Sequence, residues 1–542
     1  MPARLIRFLL LLLFASPLAA DTFTLVLTGG SWSNNTVWLQ NGLPAVRYPG
    51  SLVGTIDVVN IVVPVYTVDV DVALTEKIEL HTLCPSSTST CNVDVTTGTL
   101  KLAPAISTIG SDAHLRLNGG TIDNAGALSF QVGSKFDWTA GTLTGTGTTS
   151  LAYDAATPAL LSLNNGSLDG HTLAVNGKAV YTGSFGINNG GQVQISANGI
   201  FDIQTLGAIT TNNAATSKIV NAGTFGKTAG AGGTNLGVPL DNNGIVKAWF
   251  GGLVLSGGSH TNGTFDVAAG SSLEIAGTFN GTCAIQGAGT TTIVGTPVVA
   301  SGATLNIQNV TMNGGWLQGP VSGNGTANVS GTVTFNGGVW RRNLTVNMLT
   351  GSTLDITGAA GAFIDAAAVV NAAGALIKIQ PGASPGINSG GVITNNGTLR
   401  LAGDVSITSD GLSSPRIINN ATLEKSAGAG LARIAAKVDN NGAGTITVTS
   451  GQLALNGGGT NAGTIGIPLA ANQLVFEAGS YTLAAGTAVG INDNGWIRIA
   501  GGTLTLATPL TLKNVQLSSG TLSGSTLTID NGLKWNGGTI LG

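Results

Sequence analysis

Two stretches of this chain read almost as copies of each other. Ile219 to Gly230 runs IVNAGTFGKTAG and Ile417 to Gly428 runs IINNATLEKSAG, 198 residues further on. The offset holds upstream, where Asn198-Gly199-Ile200-Phe201 matches Asn396-Gly397-Thr398-Leu399, and downstream, where LDNNGIV from Leu240 matches VDNNGAG from Val438. It then becomes 200, so that Phe335-Asn336-Gly337-Gly338 matches Trp535-Asn536-Gly537-Gly538. The same landmark occurs at Trp138-Thr139-Ala140-Gly141. A long duplication of this kind excludes most compact folds and asks for an architecture built by repetition.

A shorter period is nested inside the long one. Asn371, Asn395, Asn419, Asn440 and Asn461 are 24, 24, 21 and 21 residues apart. Between these turns lie short alternating runs such as Thr398-Leu399-Arg400-Leu401 and Thr445-Ile446-Thr447-Val448-Thr449. Alternation over four to six residues, bounded by Gly and Asn, marks strands with one buried face. Strands that recur every 18 to 25 residues with no helical stretch between them predict a chain coiling on itself, each coil hydrogen-bonded to the next. The expected fold is therefore all-β, a parallel β-helix. Neither a six-residue repeat nor a Gly-Gly-x-Gly-x-Asp repeat is present, which favours the right-handed form.

Composition agrees with a solenoid. Glycine supplies 83 of 542 residues, and Gly and Asn take positive φ at corners with little steric cost. Charged residues are only 9% and the net charge is −3, which gives no reason to expect nucleic acid or an acidic membrane as partner. Solubility must then rest on Thr, Ser and Asn of the outer face.

Met1 to Ala20 has the form of a secretory signal: Arg4 and Arg7, the apolar run Phe8 to Phe14, and a cleavage site within Ser16 to Ala20. That run is too short to span a bilayer, so the mature chain is expected to be exported and to carry no transmembrane segment. Residues 21–137 read as an N-terminal cap and first coils, 138–334 and 335–534 as two β-helix blocks, and 535–542 as the start of a truncated third. An open solenoid end needs such a cap because its strand edge and core are otherwise exposed.

The run Gly29-Gly30-Ser31-Trp32-Ser33, Trp38, Gly42-Leu43-Pro44, Asp57-Val58-Val59-Asn60-Ile61 and Tyr66-Thr67-Val68-Asp69-Val70 resembles the opening module of secreted bacterial β-helix proteins. The later coils resemble adhesin and autotransporter passenger domains. The resemblance implies a bacterial protein, secreted or on the outer cell surface, with an adhesive or structural role toward a glycan or a surface protein.

The search for chemistry is mostly negative. Cys84 and Cys91 flank the polar loop PSSTST, and in an oxidising compartment they are expected to form a structural disulfide. Cys283 falls at an inward position and should be a buried thiol. Asp69 and Asp71 alternate with valines on one strand; such a pair can hold calcium or act in acid/base catalysis, but a solvated outer face is the favoured reading. Asp202, Asp266, Glu274, Asp355 and Asp404 are candidates for convergence across coils. His81, His114, His171 and His260 show no metal-ligand spacing and are expected at the surface or in turns. Arg341-Arg342 is the one adjacent basic pair. Trp138, Phe335 and Trp535 hold equivalent repeat positions and are expected to stack in the core. No cofactor, metal site or catalytic residue is assigned. The leading functional expectation is an adhesive or structural scaffold presenting Thr-, Asn- and Ser-rich faces, with a polysaccharide lyase or glycoside hydrolase as the alternative.

Overall fold

The alternating runs are strands in the computed structural model, which describes residues 20–25, 29–61, 66–82, 91–358, 361–490 and 493–542. The predicted signal lies almost wholly outside them. The protein is all-β, with 59% strand, and forms a parallel β-solenoid of about 21 turns. It comprises two compact units, Met1–Ile219 and Val220–Gly542.

Coil length follows the sequence period. Register partners are 18 residues apart at Ile499 and Leu517 and 25 apart at Trp138 and Leu163, with a longer step of 27 from Ile407 to Ile434. Within strands such as Thr398–Leu401 and Arg416–Asn419, every second side chain is buried. In most strands the branched and aromatic residues therefore enter the core, and Thr, Ser, Arg and Lys stay outside.

In the first unit the described antiparallel pairings lie at its start, where Thr22–Leu25 pairs with Trp38–Gln40, and Trp38–Gln40 with Leu43–Pro44. Trp32 and Trp38 are buried there edge to face at 4.9 Å. Their indole N–H groups donate to the carbonyls of Pro49 and Trp32 at 3.1 and 3.2 Å. Arg47 binds both oxygens of the fully buried Asp57 at 2.6 Å and reaches Asp21 at 2.7 Å. Further along, the core carries an aromatic row, Phe130, Phe136 and Trp138, at centroid spacings of 5.1 and 5.6 Å.

In the second unit each turn uses three faces. One face climbs from Thr224–Lys227 through Ile245–Ala248, Thr264–Val267, Thr282–Gln286, 304–307, 326–329, Leu344–Met348, Ala368–Asn371 and Val392–Asn395 to Arg416–Asn419. Thr422–Lys425, the sequence equivalent of Thr224–Lys227, is not on that face. It belongs to the next one, which climbs from Gly233–Leu236 through Gly252–Leu255, Ser272–Ile275 and Thr290–Ile293 to Thr398–Leu401. The duplicated blocks are therefore out of phase by one face.

The period-setting asparagines form a spine inside the second unit. Asn371, Asn395, Asn419, Asn440 and Asn461 are buried, and each amide donates to the next side-chain oxygen at 2.7, 2.6, 2.7 and 2.6 Å. The remaining amide hydrogens meet corner carbonyls, such as Thr398 at 3.1 Å and Thr422 at 2.8 Å. Paired in this way, buried amides escape the cost of desolvation without a partner.

Candidate functional site

Most residues singled out by sequence are placed apart, each with a local task. Among the described residues no group of three or more His, Cys, Asp or Glu side chains is arranged to hold a metal ion. Asp202 accepts from Gln204 at 2.8 Å, Asp266 from the Trp249 indole at 2.9 Å, Asp355 from Gln380 at 2.7 Å, and Asp404 from Lys425 at 2.9 Å. Asp71 accepts from the hydroxyls of Ser31 and Ser33; partial burial opposes ionisation, but these bonds outweigh it and hold the carboxyl below the usual carboxylate range. Cys84 lies outside the described residues, while Cys91 is buried at the head of the strand Cys91–Val95. Cys283 is buried and its thiol pushed up by burial.

Two expectations are corrected. His171 and His260 are interior residues. His171 donates from Nδ1 to the Gly145 carbonyl and accepts the Thr149 hydroxyl at Nε2, both at 3.0 Å. Burial pushes it down to about 4, so it is neutral at pH 7. Spacing could not reveal this, because an inward imidazole replaces an apolar residue without changing the alternation. Trp138 and Phe335 are buried as expected, but Trp535 is 57% exposed. Among the described residues its strand, Leu527–Trp535, pairs on one side only, with Leu510–Gly524.

The structure assembles two outer-face constellations that spacing within one strand does not show. In the first unit, Ser31, Asp69, Asp94, Arg116 and Asp137 stand in one register column. Arg116 grips both oxygens of Asp94 at 2.5 and 2.8 Å, and Thr96 donates to Asp69 at 2.7 Å. Burial raises the Asp94 carboxyl, with Arg116 working against it. Asp94 is thus committed to a guanidinium rather than poised to accept a substrate proton, and the column holds one bidentate ion pair beside Asp69, which Thr96 satisfies.

The second constellation is a groove in the second unit. Trp316, Val339, Phe363 and Gly386 form one register column, and Gln318, Arg341, Asp365 and Asn388 another two residues along. The Phe363 ring lies over Gly386, where an added Cβ would meet it at 2.3 Å. Arg341 sits 4.7 Å over the Trp316 ring and 3.8 Å from Asp365. Val339, Phe363, Asp365, Asn388, Ser389 and Asp410 line a surface hollow of about 180 Å³. Asp410 is fixed there by the backbone N–H groups of Ser389 and Leu412, each at 2.9 Å. An apolar floor, an aromatic wall and a rim of carboxylates and an amide suit a polyhydroxylated ligand. A separate hollow of about 240 Å³ is lined largely by Thr290, Thr291, Thr311, Thr332 and Thr334. Of the groove residues, sequence reading singled out only Arg341; the usable signal was the spacing of 23, 24 and 23 along its column.

Compared with known proteins, the chain matches no family model, no curated protein and no solved structure. What the fold defines is a class, a parallel β-solenoid scaffold. Among the described residues no helix is long and apolar enough to cross a membrane.

Proposed function

We propose that this chain is a bacterial adhesive scaffold, secreted or held at the outer cell surface, whose solenoid presents the Phe363 groove to a glycan. The observation that carries this reading is the groove itself: aromatic surface and hydrogen-bonding side chains drawn from neighbouring coils, on a rigid ladder that fixes their spacing. The resemblance of the coils to adhesin passengers and the leader-like Met1 to Ala20 support the location. In that compartment Cys84 and Cys91 form a disulfide, which intact-mass measurement with and without reductant tests directly.

Binding of the purified chain to a glycan array, compared with Phe363→Ala and Asp365→Asn variants, tests the role. Retention by wild type and loss by both variants is expected. The presence of Asp365 and Asp410 in one hollow keeps a polysaccharide-cleaving enzyme as the second reading. Asp410 is held by backbone donors, as a structural carboxylate is. Release of reducing ends or unsaturated products from a polysaccharide panel, abolished by Asp365→Asn, would replace the adhesive reading with the enzymatic one.

A further inference from the structure

The duplication supplies an internal control for the surface of residues 220–338, whose copy is 418–538. Lys227 is in register with Ala248 and Ala248 with Val267; in the second block Lys425 is in register with Val448, and the next strand continues through Thr447 and Gly466. The local coils therefore correspond strand by strand, the second block carrying two more residues in the turn before Thr445. Lys247, Trp249, Phe250 and Asp266 of the first block correspond to Thr447, Thr449, Ser450 and Gly466 of the second. The same strands close in both, so the fold does not require the first set.

That set is costly to display and ordered. Trp249 and Phe250 are adjacent at a corner and 44% and 48% exposed, leaving aromatic surface in water that burial would stabilise. The indole N–H donates to Asp266 Oδ2 at 2.9 Å, which fixes the ring plane. The Lys247 ammonium stands 4.1 Å over the ring. Asp266 Oδ2 is taken by the indole, and Oδ1 faces no protein donor among the described residues.

We infer that this corner is a saccharide-binding platform specific to the first block, taking the C–H face of a pyranose against Trp249 and Phe250 while its hydroxyls meet Asp266 Oδ1 and the Lys247 ammonium. Sugars combine an apolar face with a rim of hydroxyls that both donate and accept, and this corner offers aromatic surface beside one acceptor and one cationic donor. A lipid surface would desolvate both charges, and one cation beside one anion provides no net attraction to anionic headgroups. The platform shares no residue with the Phe363 groove and stands or falls separately.

The test is affinity electrophoresis of the full chain through gels containing soluble polysaccharides: xyloglucan, galactomannan, mixed-linkage glucan, xylan and pectin. The comparison variants are Trp249→Thr/Phe250→Ser, which installs the second block's residues, Asp266→Asn, and the groove variant Phe363→Ala. Wild type and Phe363→Ala should be retarded by at least one polysaccharide. The double variant should weaken that Kd by about tenfold or more with unchanged circular dichroism, as loss of an aromatic anchor does. Asp266→Asn should weaken it less. Equal retardation of wild type and double variant, or loss only in Phe363→Ala, would overturn the platform while leaving the groove in place. Absence of retardation by every polysaccharide, or wild-type retention on phosphatidylglycerol vesicles that the double variant loses, would also overturn it.

Discussion

Where the duplicated blocks overlap within the second unit, they keep the same buried asparagine pair and lysine and change their exterior. Asn221 donates to Asn242 at 2.7 Å, as Asn419 does to Asn440, and Lys227 and Lys425 are both fully buried. The glycine after each lysine takes the left-handed conformation, φ 82° at Gly230 and 79° at Gly428, turning carbonyls inward to meet the ammonium. Lys425 Nζ donates to the carbonyls of Ala427 and Gly428 at 2.7 Å, and Lys227 Nζ to that of Ala229 at 2.9 Å. Outside, the first block carries Trp249 and Phe250 where the second carries Thr449 and Ser450. Interior polar groups are constrained by the cost of leaving a buried donor unpaired, whereas exterior positions answer to whatever the surface meets.

The asparagine spines differ at their next step. Asn440 passes its amide to Asn461, but Asn242 is in register with His260. The His260 ring lies 5.0 Å from Phe265 and 5.4 Å from Phe279 and donates from Nε2 to the Ala276 carbonyl at 3.0 Å. Among the described residues, Asn242 Nδ2 and His260 Nδ1 have no hydrogen-bond partner. The second spine is therefore the more complete, and this contrast can be pressed experimentally.

The largest effect should come from the spine. Asn419→Leu removes the acceptor of Asn395 and the donor to Asn440, Ala421 and Thr445. With several buried groups orphaned at roughly 1–3 kcal/mol each, a loss of about 3–5 kcal/mol is expected in urea unfolding. Asn221→Leu, in the shorter first spine, should cost clearly less; equal losses would break the contrast.

Acid should separate the blocks next. The four histidines fall at or before His260, so the block 335–534 holds none. With His171 lowered to about 4 from 6.5, its penalty is absent above pH 6.5, grows as pH falls, and is complete below about 4. That amounts to about 3 kcal/mol, and His260, also lowered by burial, adds to it in the same direction. Hydrogen exchange at pH 7 and pH 5 should show protection falling around His171 and His260 before it falls in 335–534. His171→Gln should flatten the local pH dependence.

The lysines offer a finer contrast. Lys425→Met leaves the Ala427 and Gly428 carbonyls without their ammonium and should cost about 1–3 kcal/mol. Lys227 is held below the ordinary lysine value by burial. Lys227→Met should therefore cost less, since it also removes a desolvated charge. The wild-type penalty at Lys227 should ease as pH rises toward 10.5, seen as a higher urea midpoint that Lys227→Met does not show. The smallest effect belongs to the exterior: Trp249→Thr/Phe250→Ser should shift stability by no more than about 0.5 kcal/mol.

Much of this architecture was legible beforehand. Alternation in runs such as Thr398-Leu399-Arg400-Leu401 assigns inward and outward residues, and the recurring Asn and Gly set the coil length, because both depend on neighbours along the chain. The buried state of the Asn side chains was not legible, since asparagine serves equally well at an exposed corner; only stacking of successive coils shows the amides paired. Apart from the spacing along the Arg341 column, the groove was hidden for the same reason. Val339, Phe363, Asp365, Asn388 and Asp410 come from separate coils, and their meeting depends on register.

By itself, the sequence determined that the chain repeats, that its strands have one buried face, and that few charges are available to any function. Only the tertiary structure decided that the second block is turned by one face from the first, that His171 and His260 lie inside, and which outer residues stand side by side. Local alternation is written residue by residue, whereas register between coils is a sum over every corner, and one added or missing strand moves all later side chains to another face.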